Sequence, residues 1–196
     1  TIWTMDNLRV LWVALTVDDA PVHNGFIDGL NQKLSGVGPD ATRLCAELLW
    51  VLFLAPVATH IAPARKSEII RTVHDWSGLE LSASHPMLKA PLADGIANPG
   101  MHFSAHRCEE LLFLIKAVVG IKKLASAERK MLLRDAWKTG RMFDEAASTY
   151  SPQMNHMLRH LLFPLHYEPI FSRRSKRRIT ESFSGIPRKE TQRWSV

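Results

Sequence analysis

Two histidine pairs, His102 with His106 and His156 with His160, stand four residues apart. On a helix this spacing puts two imidazoles on one face, where they could share a zinc ion. A zinc hydrolase would also carry a glutamate directly after the first histidine, but Phe103 and Met157 stand there and no third ligand is fixed by spacing. The histidines are therefore expected to be structural, with no metal. Cys108 lies near one pair, yet it falls in an apolar helical pattern beside Leu111 and Leu112, where burial raises a thiol's pKa and blunts it as a nucleophile. The carboxylate pairs Glu109-Glu110 and Asp144-Glu145 are adjacent in sequence, which on a helix points them about 100° apart. They read as surface charges, not as an acid-base dyad. Neither a phosphate-cradling P-loop nor a G-x-G-x-x-G turn occurs. The expectation is a chain with no catalytic residue, no cofactor and no nucleotide binding of its own.

One constellation remains, Ser172-Arg173-Arg174-Ser175-Lys176-Arg177-Arg178, with five cations in six positions. Such a run can displace counterions from a polyanion and bind it in a salt-sensitive, sequence-independent way. Its position matters because residues 1–170 hold 17 Lys and Arg against 17 Asp and Glu, whereas residues 171–196 hold eight against two. The formal net charge of +6 is thus carried by the last 26 residues, and a neutral body with a basic end is expected. The bland reading of the run is a solvated helix end or a linker.

The elements that must position these residues are helices. Apolar residues recur with helical period almost throughout the 196 residues, and Gly, Pro and N-cap residues punctuate them. The spacing predicts helices over about 6–15, 21–34, a central buried one capped by Asp40, one opened by Pro63 and ended by Ser77-Gly78, and a short one near 87–94. It then predicts a long helix over 104–123, one capped by Ser126, one over about 137–148, one opened by Pro152, and a last one over 173–183. The fold class is all-α: a compact multi-helix domain over 1–184, with possible halves 1–78 and 101–184 joined by a loop-rich connection over 79–100, and a linker over 185–196. Trp3, Trp12, Trp50, Trp76 and Trp137 fit apolar helix faces and are expected in the core. Cys45 and Cys108 lie 63 residues apart without a disulfide or metal pattern, which favours a reducing, cytoplasmic setting. The longest nearly uncharged run, Leu48 to Ala58, is too short to span a bilayer. The chain opens at Thr1 without a leader pattern, and it is expected to be a piece of something longer.

A pattern occurs twice. Leu52-Phe53-Leu54-Ala55-Pro56 precedes Ile61, Lys66 and Ile69, and Leu161-Leu162-Phe163-Pro164 precedes Ile170, Lys176 and Ile179. Together with Ala46-Glu47-Leu48-Leu49-Trp50, Trp76-Ser77-Gly78, the Gly95-Ile96 turn, Glu110 to Ile115, and above all Leu161 to Ile179, these residues resemble the helical region that precedes the motor in McrB-like AAA+ proteins. The resemblance covers roughly 40–184. It departs where Leu165 replaces the usual Asp after Phe-Pro, and where the first Leu-Phe-Pro reads Leu54-Ala55-Pro56.

The resemblance implies a bacterial defence protein of restriction type whose chain continues into an NTP-driven motor that recruits an McrC-like nuclease. It implies structural roles for Pro56, Lys66, Trp76, Pro164, Glu168 and Lys176. Two readings follow: a non-catalytic module that recognises double-stranded DNA or another foreign signal, and a pure interaction module that docks on the motor ring or partner subunits. A free-standing enzyme comes third. Helical geometry puts Lys176 on one face with Ile179, Thr180 and Phe183, as Lys66 with Ile69, Ile70 and Val73, so both lysine stems are expected against the body, with Glu168 a candidate counter-charge for Lys176. Arg173, Arg174, Arg177 and Arg178 are left to face an anionic partner.

Overall fold

A computed structural model of the chain describes residues 1–17, 25–80, 91–147 and 152–184, without the side chains of Pro91, Ala93, Arg173 and Ser184. The expected linker over 185–196, the start of the second helix at 21–24, residues 87–90 and Ser148 lie outside the described residues. The described chain is all-α. Its helices are α1 (Met5–Thr16), α2 (Phe26–Leu34), α3 (Pro39–Phe53), α4 (Pro63–Asp75), α5 (Pro91–Asp94), α6 (Gly100–Ala105), α7 (Arg107–Lys123), α8 (Ser126–Leu132), α9 (Ala136–Ala146), α10 (Gln153–Leu162) and α11 (Arg173–Ser184). No strand occurs among the described residues, only an isolated parallel bridge between Pro56 and Ala97.

The helix α3 is the hub because it is apolar over most of its surface, with only Asp40, Arg43 and Glu47, spaced i, i+3, i+7, forming a charged stripe toward solvent. Leu44, Cys45, Leu48, Leu49, Leu52 and Phe53 are all buried. It packs against α1, α4 and α7, and α7 in turn packs against α9 and α10. Residues of both halves, from Leu8 to Phe171, contribute to one hydrophobic core.

Several helix ends differ from expectation. Pro39, at the first position of α3, presets φ and has no N–H to satisfy, so Gly38 holds the N-cap place and Asp40 falls inside the first turn. The long helix expected from Ser104 is broken at His106, whose φ of −118° and ψ of 32° are not helical, so α6 and α7 are separate. Ser126 does not cap α8. Ala125 holds that position, and the Glu128 carboxylate reaches back to accept from its N–H at 3.0 Å. For α9 the cap is Asp135, whose carboxylate accepts from the Lys138 N–H at 2.9 Å. The start of α10 is closed from a distance: the buried Glu110 carboxylate of α7 accepts from the Gln153 N–H at 2.9 Å and the Met154 N–H at 2.7 Å. A negative charge there meets the positive end of the helix dipole as well as two orphan donors.

Pro56 is buried where α3 ends, and Lys66 reaches back to it. The Lys66 ammonium is fully buried and donates to the Pro56 carbonyl and, at 2.9 Å, to the Leu92 carbonyl. Burial pushes its pKa below the usual lysine range. Gly95 closes the same junction. Its φ is +61°, and a Cβ there would lie 2.3 Å from the Pro56 oxygen, so both the backbone and the space require glycine. The Ile96 N–H donates to the Ala55 carbonyl at 2.7 Å and the Val57 N–H to the Ala97 carbonyl at 3.1 Å, which pins the loop to the end of α3. Trp76 follows α4 and packs half-buried against the core.

Candidate nucleic-acid interface

Ser172 stands just before the basic helix α11, and its hydroxyl accepts from the Ser175 N–H at 3.2 Å. Two faces follow. Lys176, Arg177, Thr180 and Glu181 are half-buried, whereas Arg174, Ser175, Arg178, Ile179, Ser182 and Phe183 are exposed. The four arginines therefore do not act as a set: Arg174 and Arg178, four apart, share the outer face, Arg177 turns toward the body, and the Arg173 side chain lies outside the described atoms. Neither Arg174 nor Arg178 belongs to an ion pair among the described residues.

The inner face also departs from expectation. Lys176 and Thr180 lie inward, but Ile179 and Phe183 do not join them, with Phe183 86% exposed. The i, i+3, i+7 row predicted a stripe centred on Ile179, while the buried stripe is rotated toward Arg177 and Glu181. Glu168 is exposed and forms no ion pair with Lys176 among the described residues, and Pro164 is exposed as well. Lys176 instead lies against His156, its ammonium donating to the ring Nδ1 at 3.2 Å. Burial lowers the Lys176 pKa, the Arg159 charge lowers it further, and Asp144 works in the opposite sense. In place of Glu168, Asp144 is thus the carboxylate that Lys176 feels.

The histidine pairs are held by other bonds. The His102 and His106 rings lie 4.4 Å apart, and His106 Nδ1 donates to Glu109 at 3.3 Å. His160 Nδ1 donates to the Tyr167 carbonyl at 2.5 Å. Among the described residues no group of three His, Cys, Asp or Glu side chains could hold a metal ion. Burial raises the Cys108 pKa, with the nearby Glu109 charge adding to it and Lys33 opposing it, and burial pushes Cys45 up to about 12.

Four of the five tryptophans expected in the core are at least half-buried, but Trp137 is 63% exposed. The buried stripe of α9 is Ala136, Thr139, Gly140 and Phe143, spaced i, i+3, i+4, i+7, and Trp137 sits about 100° from Ala136. The indole is nevertheless fixed. It packs edge-on against Tyr167 with ring centroids 5.7 Å apart, and the Tyr167 hydroxyl donates to the Ala136 carbonyl at 2.7 Å. The Arg159 guanidinium lies over Tyr167 at 5.5 Å and is itself tied to Asn155 at 2.9 Å, to the Gly140 carbonyl at 2.8 Å and to Asp144.

Around Trp137 lies a second basic stretch that averaging over residues 1–170 conceals. Residues 122–141 hold seven Lys and Arg against two acidic residues, and Lys123, Lys130, Arg134, Lys138 and Arg141 are all exposed. A charge sum over a 20-residue window would have found it. No helix among the described residues is long and apolar enough to cross a membrane. Comparison of the chain with protein-family models, with curated proteins and with solved structures finds no match.

Proposed function

We propose that the chain is a non-catalytic recognition module of an McrB-like AAA+ protein, acting in modification-dependent restriction or antiviral defence in the cytoplasm. It contacts double-stranded DNA through α11 and hands that contact to a motor domain in the same chain, which engages an McrC-like nuclease. The observation that carries the reading is the outer face of α11, where Arg174 and Arg178 project from a capped helix anchored by Lys176 on its other side. Cations so placed take phosphates without base specificity, each neutralised phosphate contributing about 0.9 to the log-log salt slope on duplex DNA. Chemistry on nucleotides is left to the motor, since this chain carries no phosphate-binding loop.

A specific observation favours a second reading. Ile179 and Phe183 are exposed as well, on the flank of α11 about 100° or more round from the arginines, and Leu165 is 95% exposed. An apolar pair beside cations suits an acidic protein surface, such as the motor ring or a partner subunit. Titration of a fluorescent duplex separates the two. DNA recognition predicts binding that weakens steeply with salt and is reduced by the R174E/R178E double variant with the melting temperature unchanged. Binding that ignores that reversal, or is absent, rejects DNA contact by α11 and leaves the protein-docking reading.

A further inference from the structure

The structure offers a second cationic surface that is better built than α11. The helices α8 and α9 are joined by a turn over 133–135 and locked together by the Thr139 hydroxyl, which donates to the Leu132 carbonyl at 2.7 Å. Because Ala136, Thr139, Gly140 and Phe143 bury one side of α9, its position is fixed and its other side is left outward. That outward side carries Trp137, Lys138 and Arg141, with Arg134 and Lys130 on the approach. Lys138 has Asp135 at 3.7 Å, and Arg134 and Arg141 are in no ion pair among the described residues.

Trp137 makes this more than a solvated charged face. An indole 63% exposed gains little from folding, yet here a stack of Arg159, Tyr167 and Trp137 holds it, with Arg159 anchored by three further partners. Orienting groups behind an exposed aromatic reduce the entropy lost when it meets a ligand.

We propose that the outer face of α9, together with the turn before it, is a contact surface for duplex nucleic acid. Arg134, Lys138 and Arg141 take backbone phosphates there, and the fixed Trp137 ring packs against sugar or base edges. The inference rests on the DNA reading above and adds to it a site outside α11. Three features select a duplex. The surplus of cations is complementary to a polyanion. An α-helix about 10–12 Å across fits the major groove, about 12 Å wide, and a helix, short turn and helix is a common way to present one. The apolar side of α9 is spent on the core, and the exposed Met131, Leu133 and Trp137 are interspersed along the chain with Lys130, Arg134 and Lys138, so no continuous apolar stripe is left to sink into a membrane.

The test is fluorescence anisotropy of the full chain with a labelled mixed-sequence duplex over a salt series, for the wild type, K138E/R141E, R174E/R178E and W137A, each with a thermal melt. K138E/R141E is expected to weaken binding roughly tenfold or more and to lower the salt slope by about 1.8, with the melt unchanged. W137A is expected to weaken binding roughly tenfold with the slope kept. If the reversal disturbs the melt, the neutral pair R134Q/K138Q is read for the same slope. An unchanged affinity and slope in these variants, while R174E/R178E binds more weakly, overturns the inference and leaves the α11 reading standing. Loss of binding in K138E/R141E with R174E/R178E unaffected supports the inference and rejects the α11 assignment. No binding by the wild type, or binding only to phosphatidylserine vesicles or to an acidic protein, overturns both.

Discussion

The Lys-x-x-Ile pattern occurs at Lys66 and again at Lys176, and the two helices that carry it settle differently. In α4 the lysine is sealed, and Ile69, Ile70 and Val73 on its face are buried with it. Its ammonium serves two main-chain carbonyls, and Gly95 lets a loop close over the junction. In α11 the lysine is half-buried and serves a histidine, while Ile179 and Phe183 stay outside. Pro56 is buried where Pro164 is exposed. One local pattern thus produces a lock in the first half and a displayed helix in the second. The pattern sets the helix and the inward lysine; what lies across from that lysine decides the rest. The buried carbonyls of Pro56, just past α3, and of Leu92 in α5 take the Lys66 ammonium and so tie α4 to the core.

The lysines themselves give the largest expected contrast. Lys66→Ala leaves two buried carbonyls without a donor and empties a buried volume, so a loss of about 4 kcal/mol is expected. Lys176→Ala is expected to lose under about 1 kcal/mol, because its nitrogen is partly wet and its partner is a side chain. Equal losses in chemical denaturation would dissolve the contrast.

Next come the glycines. Gly95→Ala meets the backbone oxygen of Pro56 at a positive φ, and a loss of about 3 kcal/mol is expected. Gly140→Ala meets the Tyr167 hydroxyl at 2.3 Å, the end of a side chain that can swing aside, at a helical position where alanine is favoured by about 1 kcal/mol. Its net effect is expected within about 1 kcal/mol. It should instead disturb the Trp137 environment, read as a shift in the Trp137 part of the indole emission, obtained by subtracting the spectrum of the matching W137F variant.

A smaller effect distinguishes the two sites by pH. The Lys66 pKa is lowered in the fold, so the folded state binds fewer protons there than the unfolded chain. The penalty is full below the lowered value and is relieved as pH rises toward the ordinary value near 10.5. The stability difference between wild type and Lys66→Met should therefore widen from pH 7 to pH 10. A difference that narrows would mean that the ammonium, not its N–H donors, secures the junction.

Much of this fold was legible because its helices are long, strongly periodic and punctuated. Prolines 39, 63 and 152 and glycines 36 and 78 mark where helices begin or end. The missed details have physical causes. The break at His106 carries no proline or glycine. The closure of α10 comes from Glu110, 43 residues away from Gln153, and no local signal reports a distant cap. On α11 the buried stripe is rotated by a fraction of a turn toward Arg177 and Glu181, while Lys176 keeps its inward place against His156 of α10. Trp137 read as core because tryptophan is apolar, while the spacing of Ala136, Thr139, Gly140 and Phe143 already placed the buried side elsewhere. The basic stretch over 122–141 was hidden by summing charge across a body whose other residues carry the compensating acids.

Hydrogen exchange of the chain with and without a short duplex DNA tests the central claim, that the first half is a lock and the second half displays the contact surfaces. The account predicts slowed exchange over 126–146 and 173–184 on adding DNA, with residues 55–75 already protected and unchanged. Protection that rises around Lys66 and Pro56, or no change over either basic segment at saturating duplex, would contradict it.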